Sequence, residues 1–188
     1  MGKQSSKLTS RDFDELRKHA NFTDDELREW HRKFMDEFPD GSVTIDEFKY
    51  IYDKCFPYGD SGKFSDHVFR IYDANGDGKI DFREFMTVLS VTNRGSVDQK
   101  LEWTFRMYDM DTDGYITRHE MMEIVRSLYK LVENLVRLPD DEDTPEKRVE
   151  KIFRLMDKNE DGRISREEFV MGAKSDRDLV KLFECNHL

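Results

Sequence analysis

Along most of this chain the apolar side chains return every three or four residues, the spacing that gathers them on one face of a helix. Phe64, Val68, Phe69 and Tyr72 form one such stripe, followed after a polar gap by Phe85, Met86 and Leu89. Leu101, Phe105 and Tyr108 form the next, and Met121, Met122, Val125 and Leu128 resume it beyond a second gap. Val149, Ile152, Phe153 and Met156 lead into a third gap, and Trp30, Phe34, Phe48, Ile51 and Tyr52 flank a fourth further upstream. The pattern predicts an all-α fold in which each polar loop is bracketed by two amphipathic helices. Stripes of this kind are core faces in the first instance, so they say only that the helices pack. Two helix starts are also readable. Thr23-Asp24-Asp25-Glu26 makes a capping box, with Phe22 and Leu27 placed as a hydrophobic staple. Thr144 can cap a helix whose first position is Pro145.

The gaps are repeats of one another. Asp73 to Glu84 reads DANGDGKIDFRE, Asp109 to Glu120 reads DMDTDGYITRHE, and Asp157 to Glu168 reads DKNEDGRISREE. These dodecads resemble the calcium loops of EF-hands, and each element of the motif has a physical purpose. Oxygens at positions 1, 3 and 5 face the ion: Asp73, Asn75 and Asp77; Asp109, Asp111 and Asp113; Asp157, Asn159 and Asp161. Glycine at position 6 allows the sharp turn. Position 7 offers only its backbone carbonyl, so Lys79, Tyr115 and Arg163 are tolerated there. Asp81, Thr117 and Ser165 at position 9 ligate directly or through water, and Glu84, Glu120 and Glu168 at position 12 supply two oxygens each. Isoleucine stands at position 8 of all three, namely Ile80, Ile116 and Ile164, suited to a short strand that pairs two loops. One such loop alone is often a solvated turn; three in register are not coincidence. The first two carry four carboxylates and the last carries three, so ligand counting makes loop 157–168 the weakest.

Starts at 73 and 109 are 36 residues apart, and a degenerate copy lies a similar distance upstream, at Asp36 to Glu47. It keeps Gly41, Val43 and Glu47. Phe38 stands where position 3 needs an oxygen, and Pro39 fixes the backbone at position 4, so this loop is expected to hold no ion while still folding as the partner of the next. The expected organisation is therefore an N-terminal segment 1–21, a first pair of hands 22–92, a hinge 93–96 in which Gly95 allows a bend, a second pair 97–175, and a C-terminal helix and tail 176–188. Short antiparallel loop-to-loop bridges complete each pair.

Composition narrows the partners. With 41 acidic and 31 basic side chains the formal charge is −10, and the cations are spread out, which argues against nucleic acid and for cations as ligands. Cys55 and Cys185 are too few and too far apart for a disulfide framework, and a cytoplasmic setting is expected. No apolar run approaches the roughly 20 residues that span a bilayer. His19, His31, His67, His119 and His187 have no metal or triad spacing, so no enzyme is expected. The amino terminus, Met1-Gly2-Lys3-Gln4-Ser5-Ser6, matches the myristoylation pattern with Gly2 as acceptor. Lys3 and Lys7 supply the basic contribution that one acyl chain needs for membrane binding.

Taken together, a Met-Gly start, a first loop broken at positions 3 and 4 and three intact loops resemble the neuronal calcium sensor family. Phe56 to Asp60 (FPYGD), Leu89 to Thr92 (LSVT), Thr144 to Arg148 (TPEKR) and Gly172 to Asp176 (GAKSD) suggest its neurocalcin, hippocalcin and visinin-like branch. Phe38 departs from the cysteine usual there, and the tail after Cys185 is short. The resemblance implies a sensor that binds three calcium ions, moves reversibly onto membranes through a myristoyl group, and opens an apolar groove to regulate target proteins in signalling. That groove, for an amphipathic helix of the target, would include Trp30, Phe34, Phe48, Phe56 and Phe85. Self-association into a homodimer is left open. The rival reading is a cytosolic calcium buffer with the same loops and no switch.

Overall fold

The computed structural model describes Leu16, residues 22–132 and residues 139–175. The candidate acyl site Gly2, its neighbours Lys3 and Lys7, and the tail 176–188 with Cys185 lie outside the described residues. Among the described residues, eight helices and four three-residue strands are arranged as four helix–loop–helix units. The first unit is α1 (Asp24–Glu37), β1 (Ser42–Thr44) and α2 (Ile45–Cys55); the second is α3 (Gly62–Tyr72), β2 (Lys79–Asp81) and α4 (Phe82–Arg94). The third is α5 (Val97–Tyr108), β3 (Tyr115–Thr117) and α6 (Arg118–Val132); the fourth is α7 (Pro145–Met156), β4 (Arg163–Ser165) and α8 (Arg166–Ser175).

Local chemistry sets the helix starts. Thr23 accepts from the Glu26 amide while Glu26 reaches back to the Thr23 amide, and the same reciprocal cap recurs at Thr44 with Glu47, Asp81 with Glu84 and Ser96 with Gln99. Thr144 caps α7, with Pro145 at its first position. Phe22 and Leu27 are both buried at the entry to α1.

Each pair of loops is joined by a two-stranded antiparallel bridge, β1 with β2 and β3 with β4. The register puts position 8 against position 8: Val43 opposite Ile80, and Ile116 opposite Ile164. These four side chains are 3% exposed or less, and burying a branched aliphatic side chain contributes roughly 1.5–3 kcal/mol, so each bridge is anchored by its central pair. Below the bridges α2 packs on α3, α6 on α7 and α5 on α8, while α3 meets both α5 and α6 across the two halves. One apolar core runs through all four units and includes Leu16, whose burial no periodicity ahead of residue 22 announced.

Two details differ from expectation. Gly95 adopts φ −64°, ψ 148°, a backbone open to any residue, so its conformational freedom is not what this position uses. A Cβ there would stand 2.3 Å from the Val91 carbonyl oxygen, and close approach is what requires glycine. The connection itself is shorter than 93–96, because α4 continues to Arg94 and Ser96 already caps α5. A cavity of about 1000 Å³ opens between α3, α4, α5 and α8, lined among others by Val88, Val91, Trp103, Val170 and Met171. None of Trp30, Phe34, Phe48, Phe56 or Phe85 lines it.

Candidate metal centres

Loops 73–84, 109–120 and 157–168 share one hydrogen-bond scaffold. At position 1, Asp73 accepts from the amides of Asp77 (3.0 Å) and Gly78 (2.8 Å). Asp109 does the same with Asp113 and Gly114, both at 3.1 Å, and Asp157 with Asp161 (3.2 Å) and Gly162 (3.0 Å). Position 3 accepts from the position 5 amide through Asn75 (2.8 Å), Asp111 (3.2 Å) and Asn159 (3.1 Å). Position 5 accepts from position 7: Asp77 from Lys79, Asp113 from Tyr115 and Asp161 from Arg163. Each loop thus folds its oxygen-bearing side chains inward around its own amides. The position 7 side chains of the third and fourth loops face each other instead, with the Arg163 guanidinium 4.1 Å from the Tyr115 ring.

Position 12 closes the scaffold from the next helix. Glu84 accepts from Ala74 and Asn75 through one oxygen and from Asp81 through the other. Glu120 accepts from Met110, Asp111 and Thr117, and Glu168 from Lys158, Asn159 and Ser165, in the same division of labour. Every one of these glutamates therefore ties the start of its loop to the first turn of the exiting helix. Burial pushes Glu84 above the ordinary carboxylate range, against the pull of the Asp81 and Asn75 amides. Burial also raises Asp109, aided by the charge of Glu120. It acts upward on Glu120 and Glu168 too, but there the amide and hydroxyl of Thr117 or Ser165 and the amides at the loop start outweigh it, leaving both below their ordinary value. Oxygens of Asp109, Asp111 and Glu120 lie within 4.8 Å of one another, the one such cluster of acidic groups among the described residues. The other two loops carry asparagine at position 3, whose amide oxygen is an equally hard donor. All-oxygen donor sets of this size, framed by glycine turns, fit calcium.

Position 4 carries a signal the sequence did not reveal. Gly76, Thr112 and Glu160 all take left-handed backbone, with φ of 71°, 59° and 58°. Position 6 does likewise, at Gly78, Gly114, Gly162 and also Gly41. Proline cannot adopt positive φ, so Pro39 excludes the first loop from this frame regardless of what stands at position 3. The consequences are visible. α1 continues through Asp36 to Glu37, where the other entering helices stop one residue short of position 1. The Gly41 amide donates to the Phe38 carbonyl at 2.9 Å rather than to an acid. Asp36 pairs with Arg32 at 3.8 Å, and Glu47 is exposed and bonded to Thr44 alone among the described hydrogen bonds.

The expected groove residues are gathered on the first two units. Phe34 and Phe48 are buried, whereas Trp30, Phe56 and Phe85 are half-buried. Their rings interlock: Phe34 and Phe85 are 5.4 Å apart, Trp30 and Phe85 6.1 Å, and Phe48 reaches Phe56 through Tyr52.

Comparison with known proteins agrees with this geometry. A family model described as an EF-hand domain pair matches residues 98–174, and one described as an EF hand matches residues 65–89. The chain is 49% identical over 181 residues to neuronal calcium sensor 1 of Lymnaea stagnalis, covering 96% of this chain and 95% of that protein. The chain belongs to the neuronal calcium sensor family. Neuronal calcium sensor 1 of Aplysia californica is 47% identical over the same shares, and recoverin of Homo sapiens is 38% identical over 187 residues, 98% of this chain and 94% of its own. These members of the neuronal calcium sensor family support the family as a whole and do not single out the neurocalcin, hippocalcin and visinin-like branch.

Proposed function

We propose that this protein is a calcium sensor that holds three ions, in loops 73–84, 109–120 and 157–168, and converts their binding into membrane attachment and target recognition. It acts by binding and not by catalysis, as its family implies. The observation that carries the reading is the triple bond pattern of Glu84, Glu120 and Glu168, which links each loop to the helix behind it. Calcium, when bound, supplies a divalent charge to which these carboxylates are drawn. Any shift of the three glutamates is passed to α4, α6 and α8, because each stands in the first turn of its helix. The ligands are those named from the repeat, with the backbone carbonyls of Lys79, Tyr115 and Arg163 and the position 9 groups Asp81, Thr117 and Ser165 completing the sets.

For the target, the half-buried rings of Trp30, Phe56 and Phe85, backed by Phe34 and Phe48, supply a continuous aromatic surface suited to an amphipathic helix. Among the described residues no helix is long and apolar enough to cross a membrane. Attachment is assigned to a myristoyl group on Gly2 with Lys3 and Lys7. One such chain binds membranes only marginally, with a constant on the order of 10⁴ M⁻¹, so association stays reversible and the protein otherwise cytoplasmic. Intact mass and vesicle sedimentation of the acylated protein, with and without calcium, test this together. Calcium-dependent sedimentation that Gly2→Ala abolishes is expected. Sedimentation unchanged by Gly2→Ala would remove the lipid from the mechanism, and a calcium-bound form with no gain in exposed apolar surface would favour a buffer.

A further inference from the structure

Arg70 belongs to the second unit by sequence and to the third by its contacts. It lies on α3, three residues ahead of Asp73, the first ligand position of loop 73–84. Its guanidinium crosses to the other half of the molecule and forks over the end of α5. One terminal nitrogen donates to the carbonyls of Met107 (2.9 Å) and Arg106 (3.3 Å), and the other to those of Met110 (3.2 Å) and Asp109 (3.5 Å). Two of these carbonyls belong to the last turn of α5, and the other two are positions 1 and 2 of loop 109–120. The last carbonyls of a helix have no partner within it, and a cation is well placed to satisfy them. Glu120 takes the amides of positions 2 and 3 of the same loop, so that entry is held on both sides, by its own glutamate and by an arginine from another hand.

The opposite end of α3 is braced by the same unit. Just ahead of α3, the Asp60 amide donates to the Lys130 carbonyl near the end of α6 at 3.1 Å. A Cβ on Gly59 would lie 1.9 Å from the Leu131 carbonyl oxygen, so glycine is what lets the two backbones meet there. α3 is therefore clamped between the entering and exiting helices of the third unit. A rotation or translation of α3 as its own loop closes cannot leave the carbonyls of Met107 to Met110 where they are.

We propose that Arg70 is a positioning residue that couples loop 73–84 to loop 109–120, so that the cation affinity of each depends on occupation of the other. The coupling presupposes that both loops hold cations. It runs across the boundary between the two pairs of hands, where no β-bridge connects the loops. Its size lies at the lower end of ordinary allosteric coupling, about five- to tenfold in affinity.

The test uses the full chain and calcium alone. Calorimetric titration gives the affinity of loop 109–120 in the otherwise native protein and in Glu84→Gln, which disables loop 73–84; their ratio is the coupling. The ratio is then measured in Arg70→Met and in the Arg70→Met, Glu84→Gln double variant. Removing the guanidinium charge changes the affinity of the nearby carboxylates in both backgrounds and cancels in the ratio, which a merely structural role would leave intact. A ratio of about five to ten that falls below about two in Arg70→Met is expected. Reciprocity requires Glu120→Gln to change loop 73–84 by the same factor. Arg70→Lys keeps charge and length but lacks the fork, and should lie between; it also serves if the methionine variant is unstable. In the calcium-free protein, Arg70→Met should speed amide exchange at Asp109 and Met110 and leave Asp157 and Lys158 unchanged. An undiminished ratio in Arg70→Met, or no coupling in the native protein with three ions bound, overturns the proposal alone. Fewer than two ions bound by the native protein overturns it together with the functional reading.

Discussion

Replacing Glu120 by glutamine isolates what position 12 does, because its effect on the ion-free and ion-loaded protein should differ. Glu120 accepts four hydrogen bonds, from the amides of Met110, Asp111 and Thr117 and the hydroxyl of Thr117. Glutamine keeps one acceptor oxygen and turns an amide toward one pair of donors, and hydrogen bonds to a charged group contribute about 1.5–3 kcal/mol. Against this stands relief of repulsion. Glu120 has oxygens within 4.8 Å of those of Asp109 and Asp111, where each pair of charges repels by about 1 kcal/mol in water and about 3.5 kcal/mol at an effective dielectric of 20. The two terms nearly cancel, so Glu120→Gln should alter ion-free stability by no more than about 2 kcal/mol. The loaded protein has no such compensation. A site filled at a hundred times its Kd stabilises the fold by about 2.7 kcal/mol. For a chain of this length that is a rise in Tm of about 5–11 °C. Thermal unfolding with and without calcium, alongside calorimetric ion counting, should show the calcium-induced rise smaller by that amount and one ion fewer. A full rise with an unchanged ion count would refute the assignment of Glu120 as a ligand, and a large loss of stability without calcium would refute the balance of forces.

The first loop should be repairable. Asp36, Asp40, Gly41 and Glu47 already stand at positions 1, 5, 6 and 12, so Phe38→Asp with Pro39→Gly should add one ion by calorimetry, whereas Phe38→Asp alone should add none because φ at position 4 stays fixed; a gain from the single change would contradict the backbone explanation. At the surface, Arg94 holds the Glu26 carboxyl down to about 2, with help from Thr23, while its guanidinium lies 4.3 Å from the Phe22 ring. A depressed carboxyl stabilises the fold above its unfolded pKa, near 4.5, and loses that contribution as pH falls through about 2. Urea midpoints of the native protein and Glu26→Gln should therefore converge between pH 4.5 and 2, by a small and salt-sensitive amount given the exposure of the pair; parallel acid limbs would show that the pair does not contribute.

What the sequence made legible was local. The inward-folded loop scaffold and the helix caps depend on residues within a dozen of one another, and the position 8 pairing on the repeat of that dozen, so spacing alone exposes them. The fold of paired helix–loop–helix units followed from those repeats and the apolar stripes. Left-handed backbone at Thr112 and Glu160 could not be read, because neither residue favours it and the loop scaffold imposes it. No motif marks Arg70, and its acceptors lie 36 to 40 residues away in the chain, so only tertiary packing brings them together. The same holds for Glu142, a member of an acidic run that is in fact buried between Lys151, Arg148 and the Tyr129 hydroxyl. Leu16 and the close approach at Gly95 are likewise properties of neighbours, not of pattern.

The most direct test of a sensor is to count ions and watch the surface in one titration of the native chain, by calorimetry in parallel with fluorescence of an apolar dye. Uptake of three calcium ions at micromolar concentration, accompanied by a rise in dye binding, is the expected result. Uptake of fewer than two, or full uptake with no change in dye binding, would contradict the claim that filling these loops moves the helices attached to them.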